Sequence, residues 1–250
     1  MAETAQTPMC LRTHRYLTDD HRIGPAGYRC AGQPPACAGG EVYGLQSVGS
    51  SAATAVGDAF TYASRRFRAQ RPPRLTIWLV EEPHAPDDQH IPPEATRDRL
   101  GQPVIYLTGQ TENQLAYQAA HEVVHVLFTP IQIHHWTHEV VAVLFSLEFL
   151  EASGKAEYLA AVLAAQEAEA VRMTLDEFVR SQQPHRLGFY GRASVFGRQL
   201  IQIVGPAGYV GIARHWTAAG QPDFWAWVDA LPAPQRKAVT AISPSRSSTE

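Results

Sequence analysis

Apolar residues along the chain recur at two spacings, and the spacing changes mark the elements. From about 50 to 69, Val56, Phe60, Ala63 and Phe67 repeat at helical intervals beside Arg65, Arg66 and Arg68, which predicts an amphipathic helix. "RLTIWLV" over 74–80 and "PVIYLT" over 103–108 are β-branched and aromatic runs that predict two strands. The stretch between them carries four prolines and reads as a loop. Thr111 then offers its hydroxyl to the amides of a new helix, and Gln114 can reach back, which predicts a capped helix over 112–128 that stops before Pro130. A second apolar helix is expected from Trp136 to Glu151, ended by Ser153 and Gly154. Further helical periods follow at about 155–172, 175–182, 190–204, 207–217 and 222–230, with Gly205-Pro206 and Leu231-Pro232 as punctuation. Strands first and helices after predict an α+β fold: a small N-terminal sheet followed by a mainly helical lobe.

Residues 1–45 are rich in Gly, Pro and Cys without a period and read as an irregular N-terminal extension. The domain is expected over 46–240, with an α/β sublobe to about 128 and a helical sublobe from about 129, and 241–250 as a flexible tail. Composition adds little beyond exclusions. The chain has 250 residues, 45% of them hydrophobic and 18% charged, as expected of a folded soluble protein. A net charge of −3 without a basic block gives no reason to expect a nucleic-acid partner. No apolar run is long enough to span a bilayer. The opening residues lack the pattern of an export signal, which predicts a cytoplasmic protein unless a leader has been removed. In an oxidising compartment Cys30 and Cys37 would close a short loop and leave Cys10 over; in a reducing one all three are thiols. Nothing in the pattern sets an oligomeric state.

The candidate chemistry lies in "AAHEVVHVLF" on the 112–128 helix. Residues i and i+4 share a helical face, so His121 and His125 can aim both imidazoles at one point. Glu122 stands about 100° round from His121: too far to join as an equivalent ligand, yet close enough to take a proton from a water there. This is the HExxH arrangement of two zinc ligands and a general base. The same residues on an apolar helix have a plain structural reading, in which they are buried groups satisfied by neighbours.

A catalytic zinc takes three protein ligands and keeps one position open. Glu139 begins an otherwise apolar helix, "EVVAVLFSL", where a carboxylate is costly unless something offsets it, and a tight link through Pro130 would turn it towards the histidines. His134, His135 and His138 are rivals for the same position. The plan with a third histidine three residues beyond a glycine does not apply, because Phe128 and Ile131 stand at those places.

"HEVVHVLF…HHWTHEVVAVLFSLE" resembles the gluzincin metallopeptidases, in particular the peptidase-MA-like and aminopeptidase-like members. Trp136, Glu139 and Ala142 fall on that family's W-x-x-E-x-x-A helix, and the resemblance makes Glu139 the third zinc ligand. Further on, "FYGRASVFGRQL" is similar to the family's Y-x-x-G/A-x-x-F helix, which places Tyr190 at the tyrosine that assists catalysis. Tyr190 also reads as a helix-start aromatic packing on Phe189 and Phe196, with His185 and His215 as weaker candidates for its role. The likeness covers about 75–216 and implies a zincin-like core, one Zn²⁺ per chain, and hydrolysis of peptide or protein substrates with Glu122 as base. No amine-binding motif precedes HExxH, and "IYLTG" would offer an edge strand to an extended peptide, so an endopeptidase is expected. The alternatives are a catalytically silent zinc-binding scaffold and a zinc hydrolase of a non-peptide bond.

Overall fold

The computed structural model describes residues 37–43, 51–69, 74–80, 93–97, 103–109, 111–128, 136–181, 186–215 and 223–246. Its strands are β1 (Cys37–Tyr43), β2 (Arg74–Val80), β3 (Glu94–Arg97) and β4 (Pro103–Leu107). Its helices are α1 (Ser51–Phe67), α2 (Glu112–Phe128), α3 (Trp136–Ala152), α4 (Ala156–Ala170), α5 (Leu175–Arg180), α6 (Phe189–Val204), α7 (Phe224–Asp229) and α8 (Ala233–Ile242), with a 3-10 helix over Tyr209–His215. The described chain is mainly helical, with one four-stranded sheet in the order β1-β2-β4-β3. β2 and β4 run parallel, with Ile77 opposite Ile105, and the outer strands pair antiparallel to them. Among the described residues no helix is long and apolar enough to cross a membrane.

α1 and α2 pack together through the apolar stripe expected of α1: Val56, Phe60 and Ala63 are buried and Phe67 is partly so. α2 is held to the sheet by Gln118. Its amide oxygen accepts the Thr108 and Gly109 N–H groups at 2.9 and 2.8 Å, and its nitrogen donates to the Thr108 hydroxyl at 3.2 Å. These bonds satisfy the end of β4 and set the depth at which α2 lies. The Thr111–Gln114 capping box forms as expected, with reciprocal bonds of 3.2 and 3.1 Å. α3 packs against α2 and is buried almost all round, as its lack of a polar face implies.

Several expectations need correction. The proline-rich loop contains β3, which starts just after Pro93, as suits an outer strand whose start needs no donor. β3 covers one side of β4 and β2 the other, so "IYLTG" is an interior strand and β3 is the edge. The extension assigned to 1–45 includes β1, which lengthens the sheet by pairing Cys37–Tyr43 with Arg74–Val80; Cys10 and Cys30 lie outside the described residues. Pro232 does separate two helices as expected, but the helix after it, α8, was not anticipated; Pro232 stands at its N-cap and Pro234 in its first turn, where a missing N–H costs nothing. The tail is correspondingly tied down where it is described: Arg246 pairs with Asp229 at 2.5 Å and lies 4.9 Å from the centre of the Trp225 ring. The 207–217 helix is the shorter 3-10 turn at 209–215.

Candidate metal centre

α2 presents His121 and His125 from successive turns, and the first turn of α3 brings Glu139 opposite them. His121 Nε2 lies 3.1 Å from Glu139 Oε2 and 3.1 Å from His125 Nε2, while His125 Nε2 is 3.5 Å from Glu139 Oε1. One ligand atom from each of the three lies within 4.8 Å of the other two. His121 and Glu139 are buried, and His125 keeps about a sixth of its side chain in contact with solvent, its side-chain exposure being 16%. Two imidazole nitrogens and a carboxylate oxygen therefore converge from two helices, with His125 the one partly exposed member.

Hydrogen bonding alone satisfies this geometry poorly. His121 Nε2 faces two partners with a single in-plane position, so a proton donated to Glu139 leaves no lone pair for His125. If both nitrogens carried protons those protons would meet, and if neither did the lone pairs would. A divalent cation among the three atoms removes the conflict, and a His₂–carboxylate set suits zinc. The residues fit a metal on the chemistry of the donors.

The electrostatics agree. Burial lowers the proton affinity of His121, and neighbouring His125 lowers it further, against the opposing pull of Glu139. At His125 burial also acts downward, but the charge and hydrogen bonding of Glu139, with a contribution from Glu122, outweigh it and raise the pKa to about 9. Burial pushes Glu139 up, yet the two histidines hold its carboxyl well below the usual range. Without a cation the centre is thus a Glu139 carboxylate, a His125 imidazolium and a neutral His121. The proton on His125 occupies the place a metal would take.

Glu122 is buried beside His121, and its charge reaches His125, so it lies at the same centre without joining the ligand set. Tyr190 arrives from α6. Its ring stands edge-on to His121 with centroids 5.5 Å apart, and next to it Phe189 is buried against Phe178 at 4.7 Å. Two glycines set this approach. Gly188 has φ of 90°, in the region that disfavours side chains, and turns the chain into α6. Gly191 lies so close to α4 that a Cβ would come within 2.5 Å of the Gln166 carbonyl oxygen and 2.7 Å of the Ala170 nitrogen.

All five residues singled out in the sequence (His121, Glu122, His125, Glu139 and Tyr190) are thus brought to one region. His138, buried on α3 beside Glu139, is outside the ligating group. His215 ends the 3-10 helix, where its carbonyl accepts the Asp223 N–H, and it too is outside the group. His134, His135 and His185 lie outside the described residues. Tyr117 and Gln166 were not anticipated. Tyr117 precedes His121 by one helical turn, a spacing that could have marked it. Gln166 falls on the inward stripe of α4 formed by Leu159, Val162, Leu163 and Ala170, where a polar residue stands out. Comparison with protein-family models, with curated proteins and with solved structures finds no significant match.

Proposed function

We propose that this protein is a zinc-dependent hydrolase of peptide bonds, built on a zincin-like core, with His121, His125 and Glu139 as ligands. The convergence of those three donors within 4.8 Å, with the Glu122 carboxylate buried alongside, carries the reading. A zinc ion held there supplies Lewis acidity and makes water acidic enough to lose a proton near neutral pH. Glu122 is the base that takes this proton and returns it to the leaving amine. Tyr190, fixed at the edge of His121, is the donor for the oxygen that gains charge at the carbonyl. His125 gives up its proton when it becomes a ligand. Among the described residues β3 is an outer strand of the sheet and packs against α2, and an extended peptide laid beside it would take the geometry of an endopeptidase substrate.

The retained Glu122 favours an enzyme over a silent zinc-binding scaffold, since a structural site needs no base and closes all four positions. The test is a zinc-loaded protein offered a peptide library with mass-spectrometric readout of cleavage. Glu122→Gln should keep zinc and lose about 10²–10⁴-fold in turnover. Tyr190→Phe should keep zinc and the fold, and lower kcat by about 10²–10³ with little change in KM. Undiminished cleavage by Glu122→Gln sinks the mechanism. Cleavage of esters or amides but of no peptide moves the substrate class, and no cleavage at all by zinc-loaded wild type gives the scaffold.

A further inference from the structure

α4 docks on the rest of the molecule in an unusual way. Of its residues only Gln166 and Ala170 are buried, and the same two meet α6 at Gly191, where no Cβ fits. The Gln166 side chain then reaches to α2, donating from Nε2 to the Tyr117 hydroxyl at 2.7 Å. One residue thus meets both α2, which carries His121, and α6, which brings Tyr190 to it. Its backbone seats Gly191, the neighbour of Tyr190, and its side chain fixes Tyr117, one turn before His121 on the same helical face.

Gln166 costs stability where it stands. It is 6% exposed, and its amide oxygen has no hydrogen-bond partner among the described residues. A leucine would fill similar space but would leave the Tyr117 hydroxyl without its donor. A residue held at a local loss, bonded to a tyrosine on the ligand-bearing stripe, is what a supporting shell around a metal centre looks like. We propose that Gln166 is a positioning residue of the metal centre, acting through Tyr117 and the Gly191 contact to hold the setting of His121. This inference rests on the proposed centre for its purpose but not for its measurement.

The experiment uses the full chain, first metal-free, with the His121 ring resonances followed by NMR in wild type, Gln166→Leu, Tyr117→Phe and the double variant. Circular dichroism and thermal unfolding check the fold. Gln166→Leu should remain folded while the His121 ring signals move, and they should move in the same sense in Tyr117→Phe. Affinity for Co²⁺, read by chelator competition, should fall about 10–100-fold in each single variant, with the double variant no worse than either. If Gln166→Leu does not fold, Tyr117→Phe and the stability of its metal-free form decide the matter. Unmoved His121 signals in a folded variant overturn the proposal, as does a loss of stability with unchanged His121 signals. If wild type binds neither Co²⁺ nor Zn²⁺, the metal reading fails, and the metal-free ring signals still decide whether Gln166 positions His121.

Discussion

Helix α3 carries two largely enclosed carboxylates that are treated in opposite ways. Glu148, towards its end, is surrounded by donors: the Tyr62 and Tyr209 hydroxyls at 2.7 Å each, and Arg66 Nη2 at 2.9 Å. Arg66 Nε lies 2.7 Å away as an ion-pair contact without hydrogen-bond alignment. Arg66 also donates to the Pro206 carbonyl, which ties α1, α3 and the turn before the 3-10 helix together. Burial first, and then the bond to Glu148, raise the Tyr62 pKa to about 12, so both tyrosines stay protonated donors. Glu139, in the first turn, meets two imidazole nitrogens among the described residues, and they compete for a single proton. The contrast separates a finished network from an unfinished one. A carboxylate met by donors alone is a structural tie, whereas one met by groups that are themselves ligands calls for a cation.

The largest expected difference follows from deleting each carboxylate in turn. Glu139→Ala should take metal content, by elemental analysis after dialysis, from one zinc per chain to a small fraction of that, with helix content retained. Glu148→Ala should do the reverse. Metal is kept, but three donors lose their acceptor, at a cost of about 3 kcal/mol in chemical denaturation. Zinc retained in full by Glu139→Ala and lost in His138→Ala would move the third ligand. Metal lost from a well-folded Glu148→Ala would mean that α3 transmits strain between its two ends, and the comparison would fail.

The two ends of α3 were not equally legible in the sequence. The histidine pair and Glu139 could be found because each depends on a local rule: i, i+4 spacing on a capped helix, and a carboxylate opening an apolar run. The strands β2 and β4, α1 and both long central helices were legible for the same reason, since their periods run unbroken. β1 was hidden because Gly39 and Gly40 interrupt it and Pro and Gly flank it, and β3 because it is short and mostly polar, so pairing across the sheet decides them where local pattern does not. The Glu148 network was invisible as well. Tyr62 and Arg66 share a face of α1 at i, i+4, but Glu148 and Tyr209 come from two other elements, and no spacing relates them to that pair. Gln166 lies between the cases: its place on an apolar stripe was visible, but its partner across the fold was not.

The smallest effect is a pH dependence that applies to Glu139 and not to Glu148. Glu139 keeps a proton on His125 up to about pH 9, its charge outweighing the burial that would remove it. A cation needs the lone pair that this proton occupies, so below about pH 9 each metal bound displaces one proton, and affinity should rise about tenfold per pH unit before levelling. The stability of the metal-free protein should run the other way. A histidine whose native pKa is raised stabilises the fold fully below its unfolded value near 6.5, and that contribution fades as pH rises through about 9. The lowered pKa of His121 acts the other way only near pH 6.5, where the unfolded imidazole is still partly protonated, and fades about a unit above it, while Glu139 stays ionised throughout. Between about pH 6.5 and 9, then, thermal unfolding of the metal-free chain should move down while zinc affinity moves up. Chelator competition at several pH values, with proton release measured by calorimetry in two buffers, checks the first, and melting curves check the second. In Glu139→Gln the cause of the raised pKa is gone, so whatever metal affinity remains should be flat with pH above about 6.5. A flat profile in wild type would instead mean that His125 is already neutral, and the ion pair with Glu139 would have to be given up.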